Sequence, residues 1–346
     1  MTNPLLANDP IGELFGSLHL APRQAHKTLT LWPLLRDAPC ERRDTERVVL
    51  LAEAIAAGRA SLDEVGDGGF VPLARLDNRG ELPVLVLFGE EILGAKQNRV
   101  ANASVLVAPG TGVVLDVTCV ERGRWARTCE GGFRAAGRTI SSDLRRRMQH
   151  DVARAVRAGL GFEADQLDVW DDVEARIDAS AIRSQTLAWQ DYASARAPEI
   201  DEVLESFHTL EGQVGFVAAV GDEIVGIELL GDPSLLPGAF ARLASGTVID
   251  AIDRAALEIA RDRARRRPKD PWLDEPSPEA DPTRETRRPL FEAPEPFLAA
   301  IARAAVERRP SRGLGDDLRL EGRGVAACAL DWNGIVHLSG FVDPAS

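Results

Sequence analysis

The run Gly89-Glu90-Glu91-Ile92-Leu93-Gly94-Ala95-Lys96-Gln97-Asn98-Arg99 concentrates the polar chemistry of this chain. Glu90 and Glu91 follow the apolar stretch Pro83 to Phe88. Paired carboxylates at the end of a buried strand suit general acid/base work or the holding of a cation. A solvated turn is the competing reading. Lys96 stands out by type. The chain has three lysines, Lys27, Lys96 and Lys269, against 38 arginines. An ammonium is a compact charge with a shiftable pKa, and a guanidinium does not replace it.

Gln97, Asn98, Arg99 and Asn102 crowd the same segment. Burying such groups unpaired costs several kcal/mol each, so they must face water, one another or a ligand. On a regular strand Lys96 and Asn98 share one face and Gln97 and Arg99 the other. Lys96, Asn98 and Asn102 are the set expected to face a site. A salt-bridged structural network with Glu90 or Glu91 is the alternative. A second cluster, Cys119-Val120-Glu121-Arg122-Gly123-Arg124-Trp125, follows a strand of small and apolar residues. Glu121 and Arg124 can close a charge-assisted pair with the first cluster, and their pairing with each other is the competing reading. Trp125 can stack on a planar ligand or fill the core, and Arg124 can clamp a phosphate. Cys119 reads as a small buried thiol, because no nearby histidine activates it. His26 is a candidate base or ligand contact ahead of the first strand.

Bulk properties exclude several classes. The net charge of -13 and pI of about 5.0 repel phosphate backbones and argue against nucleic acid as a partner. Cys40, Cys119, Cys129 and Cys328 include no CxxC spacing, so reduced thiols in a cytoplasm are expected. The first residues lack a signal-peptide pattern, and no run of about 18 apolar residues suggests a membrane span. No P-loop, GxGxxG, GxSxG or HExxH occurs, so no metal or cofactor is assigned.

The elements that must position these residues read as α+β. Residues 1–15 look like a loose leader. Residues 16–138 form a β-rich half carrying both polar clusters, with strands near 27–35, 59–65, 70–77, 83–88, 100–107 and 112–120 and one helix near 45–57. Residues 139–346 form a second half. Its helices are expected at 141–158, 166–180, 198–210 and 294–307. A helical stretch at 234–264 breaks near Ala244-Ser245-Gly246. Strands are expected at 214–220, 223–230, 316–321, 323–331 and 334–340, and a charged, Pro-rich loop at 265–290. Gly89 to Gly94 aligns with Gly221-Asp222-Glu223-Ile224-Val225-Gly226, which raises an internal duplication; two unrelated β-turns would give the same match.

Together, the 89–99 run and the Cys-Val-Glu-x-Gly-Arg-Trp segment resemble a bacterial family. It is the family named for association with ADP-ribosylglycohydrolases and rhodanese-like phosphatases. The resemblance spans most of the chain, including His26, Asn102, Asp165-Gln166, Val169-Trp170 and the segment at 225–228. It implies a link to NAD or ADP-ribose metabolism and to ADP-ribosylation enzymes, and it assigns no reaction. The combined expectation is a small anionic, nucleotide-like ligand. Glu90, Glu91, Lys96 and Glu121 are the catalytic candidates. His26, Gln97, Asn98, Arg99, Asn102, Arg124 and Trp125 are the binding candidates. The alternative is a binding or assembly protein in which these clusters are scaffold.

Overall fold

The computed structural model of the chain describes residues 10–37, 47–66, 71–124, 132–266 and 289–344. An antiparallel sheet of nine strands forms its centre. Reading across, Leu18–Leu20 is followed by Leu29–Arg36, Gln213–Val220, Glu223–Leu230, Ile335–Val342, Val325–Asp331, Asp316–Gly322 and Ala305–Pro310. Gln24–His26 pairs beside Leu29–Arg36 at one edge. Helices cover both faces, so the central strands lose the inside-outside alternation of a half-exposed sheet. All eight residues of Gln213–Val220 are buried. On one face Leu29, Phe216 and Phe341 pack against helices carrying Met148, Val173 and Leu243. On the other, Val217, Ile227 and Leu338 meet Ile11, Leu14, Phe297 and Ile301.

Six further strands close a small barrel: Gly112–Cys119, Leu73–Asn78, Ala60–Glu64, Phe133–Thr139, Glu90–Gly94 and Arg99–Ala101. Closure removes free strand edges. Leu62, Leu76, Ile92, Leu115 and Phe133 belong to the barrel's own core cluster. A three-stranded sheet, Val105–Val107, Val84–Val86 and Val49–Leu50, is interleaved with the barrel strands in chain order.

The expected mixed α+β class is the observed one, with differences in detail that have local causes. Leu29–Arg36, from the β-rich half, pairs with Gln213–Val220, so the central sheet draws on both halves of the chain. Pro10–Gly16, inside the expected leader, is a helix whose Ile11 and Leu14 are buried. The expected strand at 100–107 is two short strands separated by Asn102, Ala103 and Ser104. The helix expected to reach 307 stops at Ala302, and Ala305–Pro310 becomes the exposed edge strand. The aligned Gly-acidic segments share a left-handed glycine, φ 75° at Gly89 and 61° at Gly221. One leads into the barrel, and the other closes a hairpin of the open sheet. Of the Pro-rich loop expected at 265–290, residues 267–288 lie outside the described residues, and residues 265 and 266 end the long helix. A helix over Pro233–Ile259 is long and apolar enough to cross a membrane by composition, and 72% of its most apolar window is buried inside the fold.

The expected break near Gly246 is absent, and Leu236–Arg266 is one continuous helix. Gly246 serves a close approach instead. A Cβ there would sit 2.4 Å from the carbonyl oxygen of Ile140 and 3.0 Å from Thr139 Oγ1. The neighbouring turn is bonded to the barrel: Thr139 donates its N–H to Ser245 Oγ at 3.1 Å and its hydroxyl to the Arg242 carbonyl at 3.1 Å. Gly246→Ala therefore sets helix propensity, about 1 kcal/mol in favour of Ala, against a backbone clash. The clash wins, and urea unfolding should show a net loss of about 1–3 kcal/mol. An unchanged or higher midpoint would mean that the helix does not dock as closely as described.

Candidate functional site

The 89–99 run enters the barrel, crosses it and turns back. Gly89 carries a positive φ where Arg145 passes; a Cβ there would lie 2.1 Å from Arg145 Cδ. Arg145 then reaches Glu228, and both side chains are almost fully buried. The strand Glu90–Gly94 ends in a tight turn with Ala95 at φ 44°. Residues 95–98 are thus irregular, and the alternation expected of a strand does not apply to them.

This turn sends its side chains to separate internal partners. Arg99 donates to Glu64 Oε2 at 2.6 Å and to the Leu73 carbonyl at 2.6 Å, and lies 5.0 Å from the Phe133 ring centroid. Gln97 Nε2 donates to the Glu121 carbonyl at 2.8 Å, and Cys119 Sγ donates to Gln97 Oε1 at 3.2 Å. Asn98 accepts the Gly94 N–H at 3.0 Å, and its own N–H donates to Glu121 Oε2 at 3.0 Å. Arg124 forks onto Glu121 at 2.8 and 2.7 Å and donates to the Ala95 carbonyl at 2.8 Å. Burial opposes ionisation of Glu121, yet this guanidinium and the Asn98 N–H hold its pKa below the usual carboxylate range. Asn102 turns elsewhere, donating to the Phe162 carbonyl at 2.9 Å and accepting from Thr118 at 2.8 Å.

The two adjacent acids point apart, as neighbours on a strand must. Glu90 accepts the Leu87 N–H at 3.2 Å and lies 3.5 Å from Arg242 Nε on the long helix. Burial raises its pKa despite that cation. Glu91 is fully buried and neither carboxyl oxygen has a hydrogen-bond partner. Burial pushes it up to about 8, and Arg138 and Arg134 offset this only in part. It is therefore a neutral acid at pH 7.

Of the expected site residues, Asn98, Glu121 and Arg124 line one hollow of about 340 Å³, with Arg134, Gln190 and Asp191 on its far wall. Gln97, Arg99, Asn102, Glu90 and Glu91 are buried and do not line it. Lys96 is half-buried, donates its backbone N–H to Glu64 Oε1 at 3.2 Å, and does not line the hollow either. His26 sits at the edge of the central sheet, 3.9 Å from Glu202. Trp125 lies outside the described residues. Most of the conspicuous motif is thus buried in the barrel and bonded internally.

A larger cleft, about 680 Å³, opens among residues outside both polar clusters. Three helices meet there: Ser142–Arg157, Gln166–Ser180 and the long helix Leu236–Arg266. At its polar end Arg176 bonds Asp172 at 2.9 Å, also bonds Asp253, and lies 3.4 Å from Asp250 and 4.0 Å from Asp143. Tyr192, the single tyrosine of the chain, donates its hydroxyl to Asp253. Arg146, Arg196 and Arg254 also line the cleft, while Val225, Leu257 and Phe341 give it an apolar wall. The spacings Asp172-x3-Arg176 and Asp250-x2-Asp253 place each pair on one helix face and were readable in sequence. Their meeting across three helices was not. Among the described residues no group of three or more His, Cys, Asp or Glu is arranged to hold a metal ion.

Barrel, open sheet and helix-lined cleft define a mixed α+β protein with two hollows of different character. The chain belongs to the ARG and Rhodanese-Phosphatase-superfamily-associated Protein domain family, whose profile matches residues 17–341. The family name records an association with ARG and the rhodanese-phosphatase superfamily. No curated protein and no solved structure matches the chain.

Two predictions follow from the barrel. Arg99→Met leaves Glu64 buried without its cation and should cost about 3–5 kcal/mol; Glu64→Leu combined with Arg99→Met should recover much of that loss in chemical denaturation. A single-variant cost below about 1 kcal/mol would remove the framework role from this pair. Glu91 supplies a pH signature. Its folded pKa of about 8 lies above the ordinary carboxyl value of 4.5. Between those values the folded state holds a proton that the unfolded state has lost. Stability should therefore fall as pH rises through this window, by up to about 1.4 kcal/mol per pH unit from this group. Glu91→Gln should flatten that slope; identical slopes in both proteins would contradict the buried neutral acid.

Proposed function

We propose that the 680 Å³ cleft, rather than the barrel motif, is where this protein binds a small nucleotide-like metabolite. One observation carries the reading: three complementary surfaces face a single open volume. The volume falls within the range of about 300–1,000 Å³ typical of small-molecule sites. The carboxylates around Arg176 are acceptors for ribose hydroxyls. Arg146, Arg196 and Arg254 supply donors for phosphate oxygens. The Val225, Leu257 and Phe341 wall suits a planar or apolar group. The association recorded in the family name is compatible with an ADP-ribose or NAD derivative as the metabolite.

The second reading is an assembly protein whose polar clusters only hold its parts together. The internal bonding of Arg99, Gln97 and Arg124 favours that role for the barrel cluster. It does not account for a charged cleft with an exposed apolar wall.

Calorimetry with ADP-ribose and with NAD separates the readings. Leu257 is 55% exposed on the helix surface, so Leu257→Arg obstructs the cleft without emptying the core. Affinity should fall at least about tenfold, or 1.4 kcal/mol, in Leu257→Arg and stay unchanged in Lys96→Ala. Absent heats with the unmodified protein, or loss in Lys96→Ala alone, would overturn the assignment.

A further inference from the structure

We propose that the 340 Å³ hollow between the barrel and the start of the helix Trp189–Ala195 is a second binding site, and that it holds a free α-amino acid with an apolar side chain. This assignment stands apart from the reading of the larger cleft.

The selection comes from which lining groups are already spent. Arg124 forks onto Glu121 at 2.8 and 2.7 Å, and the Ala95 carbonyl takes another of its donors at 2.8 Å. This pair cancels in charge and offers a guest little. Four other groups are not spent. Asn98 Oδ1 accepts the Gly94 N–H at 3.0 Å and an Arg124 N–H at 3.2 Å, which turns its NH2 away from both, and that NH2 bonds no described residue. Gln190 donates its amide N–H to Ser194 Oγ at 2.8 Å, and its Oε1 is buried without a partner. Asp191 accepts the Ser184 hydroxyl at 2.6 Å with Oδ2, and its Oδ1 is left over. Arg134 is exposed, and its guanidinium, though attracted by Glu91, bonds no described carboxylate or carbonyl. A buried acceptor left unpaired is destabilising, so a wall that keeps one beside a hollow calls for a donor from outside the chain.

These four groups divide by sign. Arg134 and the Asn98 NH2 are donors that suit a carboxylate. Asp191 Oδ1 and Gln190 Oε1 are acceptors that suit an ammonium. With Glu121 and Arg124 cancelling, one cation and one anion remain in the lining. The complementary guest is neutral overall and carries both charges, and a free α-amino acid has that set on one carbon. A lone anion or a lone amine meets only half of it. Leu93, Phe133 and Ala188 supply the apolar surface for the side chain. The two walls are fixed against each other before any guest arrives. Glu121 and Ala188 form a β-bridge, and Trp189 donates its N–H to the Val120 carbonyl at 2.8 Å. A preformed hollow lowers the ordering cost of binding.

Calorimetry of the whole chain with L-leucine and with L-phenylalanine tests the assignment. At least one should bind. Its deaminated and decarboxylated analogues, 4-methylpentanoate and 3-methylbutylamine for leucine, 3-phenylpropanoate and phenethylamine for phenylalanine, should each bind at least about tenfold more weakly. Arg134→Gln and Asp191→Asn should each weaken the amino acid at least about tenfold. Arg134 is exposed and the asparagine keeps an oxygen for Ser184, so neither change removes an internal bond. Leu257→Arg, which obstructs the larger cleft, should leave amino-acid affinity unchanged, so the two sites fail separately. No heat from either amino acid at about 10 mM would remove the proposal. Analogues that bind as well as the parent, or full affinity in Arg134→Gln, would do the same.

Discussion

The cost of taking a charge out of water governs how this chain is built. A buried guanidinium or carboxylate is tolerable only when its partner is buried with it and the remaining donors are satisfied. Arg99 with Glu64 closes the barrel wall, Arg145 with Glu228 joins the helix Ser142–Arg157 to the central sheet, and Arg319 grips Asp317 with two bonds at 2.6 and 2.9 Å. Arg319 meets its carboxylate as a planar fork, while Arg99 and Arg145 each give one nitrogen to the carboxylate and another to a backbone carbonyl, a division an ammonium does not reproduce.

The long helix carries these constraints from barrel to cleft. Arg242, Ser245 and Gly246 dock on the end of the barrel strand Phe133–Thr139, and Thr247 bonds Ser142 at the start of the next helix. One turn further on, Asp250, Asp253 and Arg254 face the cleft. A helix broken near Gly246 would let these two sets of residues move independently. As one rigid element it fixes where Asp250 sits relative to Asp143, whose N–H it accepts. The polar motif in the barrel thus bears on the cleft through position, not by reaching into it.

Much of the fold was legible because long strands with apolar residues on both faces, such as Gln213–Val220 and Glu223–Leu230, have few alternatives. The strand Phe133–Thr139 was not legible. Its Arg134 and Arg138 face solvent or Glu91, and Gly137 at φ 77° interrupts its register. Ala305–Pro310 carries Glu307, Arg308 and Arg309 because it is an unprotected edge, and that composition reads as a helix end. At the site, residue types were legible and destinations were not. Gln97, Asn98, Arg99 and Asn102 were expected to face water, one another or a ligand, and each has an internal partner. Nothing local said that Arg99 would meet Glu64, 35 residues away.

The two polar clusters differ in how their charges are matched. In the barrel each guanidinium has its own carboxylate, Arg99 with Glu64 and Arg124 with Glu121, and backbone carbonyls absorb the remaining donors. Around the cleft three guanidiniums, Arg146, Arg147 and Arg176, share Asp143, Asp172, Asp250 and Asp253 beside an open volume. Each like-charge neighbour raises the energy of the ionised state, so the four acids stay together only while these cations are held among them.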